Sequence, residues 1–363
     1  MYDVMPPRPH AAGVLYALLA ALSFGATTPV IARKEVGLGP LSVAALLYLG
    51  AAIASAVACA VGAPSGVRLD RGSLLPLLGM AGFGAALAPV LLAMGLARAG
   101  ALSGSLVLGL EAVFTVGLAA AVLREPVGRR VGAALGLLLS AGALVTLDGA
   151  RSSRPGSWLG LFAIAAATLC WAIDNTLSRR VSDRDPSQVV LVKAALGATL
   201  TGALALARGE PAPAPAAALW LVGAGATGYG ASLRLYLLAQ RRVGAARTGA
   251  VFSTAPLIGA SLAWALGERD AGWMTASGAL LLLVGLWLHA TEPHAHGHVH
   301  EPLAHAHAHR HDDGHHTHAH DPEVEGEHSH AHEHPRVEHD HAHAPDLHHD
   351  HHGPQARSPP HRR

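Results

Sequence analysis

The sequence predicts an all-α polytopic membrane protein, with ten transmembrane helices as two inverted five-helix repeats, followed by a disordered histidine-rich tail. Three observations lead there. Half of the 363 residues are hydrophobic but only 14% are charged, where a soluble domain carries about 25%. Apolar runs of 17 to 25 residues recur with short polar breaks, each long enough to cross roughly 30 Å of hydrocarbon at about 1.5 Å per helical residue. The chain also repeats itself at a separation of about 143 residues.

The first run, 13–31, follows "MYDVMPPRPH"; it is longer than a signal-peptide core, has no clean cleavage site, and reads as a retained span. The others are 41–63, 74–97, 101–123, 130–147, 158–177, 189–207, 216–240, 245–266 and 271–288. In lipid only helices let segments this apolar satisfy their own backbone groups, because strands would need a closed barrel. Their Ala and Gly content suits close helix packing, and the overlapping GxxxG spacings of "GRRVGAALG" (128–136) read as a packing surface. Cys59 and Cys170 both fall inside spans, so there is neither a disulfide framework nor a CxxC metal site. A formal net charge of +1 with no concentrated basic face argues against a nucleic-acid partner.

Loop arginine and lysine set the orientation. With a cytoplasmic N-terminus, eleven basic residues fall on the inner side (Arg8, Arg68, Arg71, Arg124, Arg129, Arg130, Arg179, Arg180, Arg184, Arg241, Arg242). Seven fall outside (Arg33, Lys34, Arg98, Arg151, Arg154, Arg208, Arg269), so both termini are expected in the cytoplasm of a cell (plasma or inner) membrane.

The repeat is legible in "LEAVFTVGLAAAVLREP" (110–126) against "TAPLIGASLAWALGERD" (254–270): Glu125 falls on Glu268, and Gly142 on Gly285. Earlier, "SFGATTPVIAR" (23–33) corresponds to "CWAIDNTLSRR" (170–180). Two copies of a five-span unit result, over 11–148 and 155–290, with the tail at 291–363. Five is odd, so the second copy enters the membrane from the opposite side. Inverted repeats recur in secondary transporters because two pseudo-symmetric halves can open alternately to either face. That favours a carrier over an enzyme or a receptor.

Paired five-span units, each with a Glu at the fourth loop and a Gly-bearing closing span, resemble the EamA-type transporters of the drug/metabolite transporter superfamily. "WALGERDAGWMTASGALLLLVG" (264–285) carries the resemblance most clearly, with "ARTGAVFSTAPLIGASLAW" (246–264) and its Pro256 just before it. The first copy departs there, with Val113 opposite Pro256. The resemblance covers about residues 11–290 and excludes the tail. It implies a ten-span carrier of small organic solutes, often an exporter, and leaves the cargo open.

An ionisable group at a span centre costs about 2.5 to 3.5 kcal/mol on insertion scales, so each one is a candidate. Glu111 sits mid-span in "LVLGLEAVFTVG", and Arg234 is deep in span eight; both are expected to line a central cavity, where they could pair. Asp174, beside Asn175 in span six, either caps that helix or binds solute. Lys193 and Arg247 lie near span ends, where snorkelling or packing is expected. Tyr229 and Trp171 are candidate cavity walls or packing residues. Glu125, Glu268 and Pro256 are assigned structural or gating roles, and Glu111 the proton- or solute-contacting role.

Of 26 histidines all but His10 lie from His289 onward. His294, His296, His298, His300, His305, His307, His309, His311, His315, His316, His318 and His320 alternate with Ala and carboxylates and suit several interchangeable sites for Zn, Ni, Co or Cu. No zinc-finger-like constellation is present, and no cofactor is required. Three readings stay open: a carrier of a small polar solute or metabolite with a metal-binding tail, a divalent-metal exporter, and a non-transporting metal-binding or sensing membrane protein. Monomer and homodimer are equally open.

Overall fold

The structure is a computed structural model that describes residues 9–34, 37–62, 67–122, 127–151, 156–181, 184–243, 245–269 and 271–290. Tail segments 295–300, 303–309, 328–334 and 337–342 are also described.

The first two crossings are single helices, α1 (Pro9–Lys34) and α2 (Pro40–Val61). The third joins a 3₁₀ turn (Arg71–Ser73), α3 (Leu74–Met80), a π-helical turn (Ala81–Leu87) and α4 (Ala88–Ala99). The fourth is broken into α5 (Ala101–Val107) and α6 (Leu110–Val122), and α7 (Arg129–Arg151) closes the first copy. In the second copy come α8 (Ser157–Ser178) and α9 (Pro186–Ala207). The eighth crossing runs α10 (Pro215–Gly225), a π-helical turn (Ala226–Ala231) and α11 (Ser232–Val243). The ninth is broken into α12 (Ala245–Phe252) and α13 (Ala255–Ala265), and α14 (Trp273–Ala290) ends the bundle.

Eight helical runs among the described residues are long and apolar enough to cross a membrane, and Trp273–His289 is a shorter apolar helix. The eighth crossing is continuous helix too, but Arg234, Gln240, Arg241 and Arg242 crowd its second half. Leu15, Leu22, Ile53, Val57, Phe162, Leu219 and Leu283 stay exposed on the outside of the bundle, as a lipid-facing surface requires.

Packing recurs at positions one repeat apart. The second crossing lies on the seventh (α2 on α9) and the fifth on the tenth (α7 on α14). The α4–α8 contact is matched by α11–α1, and α6–α8 by α13–α1. Small residues permit this closeness. A Cβ on Gly160 of α8 would come within 2.7 Å of the Gly95 carbonyl oxygen and 2.8 Å of Arg98 Cβ on α4.

One pair breaks the pattern. At the end of the bundle where α1 finishes, the far end, α5 packs on α13; the repeat-related pair at the opposite, near end, α6 and α12, forms no comparable contact. There α6 leans on α8 and α7, while α12 leans on α1, α11 and α14. Of the two repeat-related contacts, only the far-end one is made among the described residues, and that end is the closed one.

Carboxylates lace the closed end. Glu210 accepts from Leu41 N at 3.2 Å, Ser42 N at 2.7 Å and Ser42 Oγ at 2.7 Å, capping α2. Asp148 accepts from Gly272 N at 2.9 Å and Thr275 Oγ1 at 2.6 Å before and within the first turn of α14. Arg33 donates to the Leu266 carbonyl oxygen. The near end is tied between the loop before α3 and the loop before α9. Arg184 Nη2 meets Asp70 Oδ2 at 2.9 Å, and the Ser73 hydroxyl, followed by Arg184, holds the Asp70 carboxyl below its ordinary range.

Four short tail segments are described, in two antiparallel pairs. Ala295–His300 (β1) pairs antiparallel with Val337–Ala342 (β4), and Leu303–His309 (β2) with His328–His334 (β3). Alternation of His with Ala or a carboxylate matches the period of two of a strand. Two-stranded ladders without a covering layer contribute little stability in water.

Gly160→Val should lower stability by about 1–3 kcal/mol through overpacking, read as a lower melting temperature in detergent; unchanged melting would refute the close α4–α8 crossing.

Candidate functional site

The site begins with a backbone distortion. In "AGFGAAL" two glycines weaken the α-helix, and the π turn at Ala81–Leu87 loosens its hydrogen-bond ladder. The Gly84 carbonyl oxygen takes partners from other helices: Tyr48 donates its hydroxyl at 2.6 Å and Trp171 its indole N–H at 3.1 Å. Any Cβ on Gly84 would overlap the Asp174 carboxyl group. One repeat on, Gly228 in the second π turn meets Thr27 in the same way. Asp174 therefore stands where the first copy has a threonine.

Asp174 Oδ2 accepts a hydrogen bond from Lys193 Nζ, a salt bridge whose side chains are 5% and 4% exposed. Lys193 therefore does not snorkel, and Asp174 is not a helix cap; each holds the other's charge inside the bundle. Such a pair costs desolvation energy, and removing one partner strands the other charge.

Glu111 lies in the first turn of α6, just after the helix break at Leu108–Gly109. The free N–H groups of a helix start favour a carboxylate there. Asn175 Nδ2 donates to Glu111 Oε1 at 2.8 Å. Around Glu111, within electrostatic range, stand Asp174 and Lys193, Tyr48, Tyr229 and Tyr236. Glu111 is half-buried.

The expected Glu111–Arg234 pair does not form. Arg234 Nε donates to Ser187 Oγ at 2.8 Å in the first turn of α9, so this arginine serves the near-end latch. Arg247 is exposed near the start of α12, as snorkelling requires. Glu268 accepts from Ala101 N at 3.3 Å and Leu102 N at 2.9 Å, capping α5 and tying the far-end loop of one copy to a helix of the other. Pro256 is buried in the first turn of α13, where its missing N–H sits without cost next to the break at Ser253–Thr254. Glu125 lies outside the described residues, as do His294, His311, His315, His316, His318 and His320. His296, His298, His300, His305, His307 and His309 lie on the tail strands β1 and β2. No group of three His, Cys, Asp or Glu able to hold a metal occurs among the described residues.

Tyr229 and Trp171 belong to a larger aromatic cluster that sequence reasoning left unassembled. Phe24 meets Trp171 edge-on at 5.6 Å, Tyr229 at 5.5 Å and Phe252 at 5.5 Å. Tyr48 adjoins Tyr229 at 5.3 Å, and Tyr236 adjoins Phe252 at 5.0 Å. The chain has only 5 Phe, 5 Tyr and 6 Trp, so six rings in one contiguous group is a concentration that chance does not explain. The signal was the position of these few aromatics inside spans. Two buried atoms here have no hydrogen-bond partner among the described residues, Asp174 Oδ1 and the Tyr229 hydroxyl; each such atom costs about 1–3 kcal/mol.

Comparison with known proteins gives three findings. The EamA-like transporter family model matches the chain twice, over residues 11–147 and 158–291. An "Uncharacterized transporter" of Methanothermobacter thermautotrophicus is 26% identical over 228 residues, which span 62% of this chain and 66% of that relative. A solved structure described only as a protein crystal structure aligns with a TM-score of 0.57 at 20% identity, covering 76% of this chain and 94% of its own, a likeness of fold.

Asp174→Ala should destabilise by about 3–5 kcal/mol by leaving Lys193 unpaired, and Asp174→Ala with Lys193→Ala by clearly less than the sum of the two single changes. Melting of the four proteins in detergent checks this, and simple additivity would refute the pair.

Proposed function

The chain belongs to the EamA-like transporter family, and from that premise we propose that it is a proton- or gradient-coupled secondary carrier that exports a small polar solute. Glu111 is the acid that contacts the solute or the coupling proton. The observation that carries this reading is the broken equivalence of the bundle: α5 packs on α13, while α6 and α12 stand apart. Two repeat-related contacts, one made and one unmade, are what alternating access requires of inverted repeats. In the reverse state α6 would close on α12, α5 would leave α13, and the Glu268 cap on α5 would release.

The near end is the cytoplasmic one in this reading, because it carries eleven of the loop basic residues against seven at the far end. The chamber then faces the cytoplasm of a plasma or inner membrane, ready to load solute for export. Inside, Asp174 and Lys193 neutralise each other. Glu111 has the neutral amide of Asn175 as its direct partner and so keeps its charge available for a proton or a solute. Asn175 orients the carboxylate and Pro256 preserves the hinge at which α12 can move.

In vesicles with an imposed pH gradient, Glu111→Gln should lower solute-dependent proton flux at least ten-fold across a panel of amines, amino acids and organic acids, with melting unchanged. Flux that keeps its pH dependence in this variant would end the assignment.

The tail is proposed to bind divalent metal at the cytoplasmic mouth, as a buffer or regulator beside the carrier. Neutral imidazole is the ligand form, so binding should be full above the unperturbed histidine pKa of about 6.5 and fall as pH drops below it. Titration of the full chain with Zn or Ni should show this, and removal of residues 291–363 should abolish it; undiminished binding after removal would refute it. If cells lose Ni, Co or Zn export on the same removal, metal is the cargo.

A further inference from the structure

The charges and rings around Glu111 specify more than polarity. We infer that the chamber selects solutes carrying a protonated amine on an apolar or aromatic body, with Glu111 as its counter-charge and the Phe252–Tyr236 rings as its wall. The inference rests on the carrier reading for its role in transport, but the recognition chemistry stands on the site itself.

Three features converge. First, two carboxylates and one ammonium meet in the interior; Lys193 is bonded to Asp174, so one formal negative charge, that of Glu111, has no cation bonded to it among the described residues. Arg234 is held away from it by Ser187.

Second, two buried oxygens lack a hydrogen bond among the described residues, Asp174 Oδ1 and the Tyr229 hydroxyl oxygen, in residues only 4% and 2% exposed. Asp174 and Tyr229 are each within electrostatic range of Glu111. A primary ammonium brings three N–H donors and no acceptor, the complement of such a set. A carboxylate solute would bring a further negative charge, and only acceptors, to Asp174 Oδ1 and Glu111.

Third, the rings are graded by burial. Tyr48, Tyr229, Trp171 and Phe24 are buried and form a floor, whereas Phe252 and Tyr236 are half-buried on α12 and α11, beside the gap between α6 and α12. Aromatic faces attract a cation and also accept an apolar body. Neither a metal ion nor a small inorganic anion would use them.

Binding to the full chain in detergent, measured by calorimetry, tests this without requiring transport. Four probes share one body: 2-phenylethylamine, its neutral analogue 2-phenylethanol, the anion 3-phenylpropionate, and the zwitterion phenylalanine. The amine should bind at least ten-fold more tightly than the alcohol or the anion. Glu111→Gln should erase that preference, and Phe252→Leu should weaken the amine about five-fold with melting unchanged. Phenylalanine binding as well as the amine supports the inference with amino acids as the source of the ammonium; weaker binding supports it with amines lacking a carboxylate. An anion that binds as tightly as the amine overturns it. So does amine affinity unaffected by Glu111→Gln, or no binding by any of the four at millimolar concentration. Because no flux is read, amine binding can hold while the coupled-carrier reading fails, and the reverse.

Discussion

A carbonyl, carboxylate or ammonium withdrawn into hydrocarbon can bond only to the protein itself, and the interior of this bundle is arranged by that constraint. At the π turn of the third crossing the Gly84 carbonyl oxygen takes donors from Tyr48 and Trp171, which draws two aromatic rings to the centre. The absence of a side chain at Gly84 lets Asp174 reach the same point, and Asp174 brings Lys193 with it. One distorted turn thus gathers the second, third, sixth and seventh crossings around a single locus. Glu111 enters from the fourth, tethered by Asn175.

The two copies share a backbone plan but not a chemistry. The π turns and the breaks at Leu108–Gly109 and Ser253–Thr254 recur at matching positions. Thr27 answers Asp174, however, and Val113 answers Pro256. Polar side chains are concentrated on the second copy's α8, where Asn175 meets Glu111 of α6 and Asp174 meets Lys193 of α9. In the proposed carrier the two-fold scaffold would supply two equivalent ways to close. The caps at the helix starts follow the same division. Glu210, Glu268 and Asp148 hold the closed end by bonding backbone N–H groups that helix geometry leaves free.

Aromatic residues show how function is layered on this scaffold. Most of the bundle is built from Ala, Gly, Leu and Val, whose packing is tight and chemically silent. Rings appear in quantity at one place, near Glu111, which has no bonded cation among the described residues. Their burial declines from Tyr48 and Tyr229 towards Phe252 and Tyr236.

The sequence by itself determined the helical membrane class, the approximate place of each crossing, and the interior candidacy of Glu111, Asp174 and Asn175. Hydrophobic length and the energetic cost of a charge in lipid are local properties, legible one segment at a time. Partner choice was not legible. Glu111 was matched to Arg234 because both lie deep in their spans, yet Asn175 and Ser187 hold them apart; Lys193 was taken for a snorkelling residue and is a buried partner instead. Tertiary structure alone decided those pairings, the meeting of six rings, and the closure of α5 on α13 without α6 on α12. Each depends on which helix faces crossed helices present to one another, which no single segment of sequence specifies.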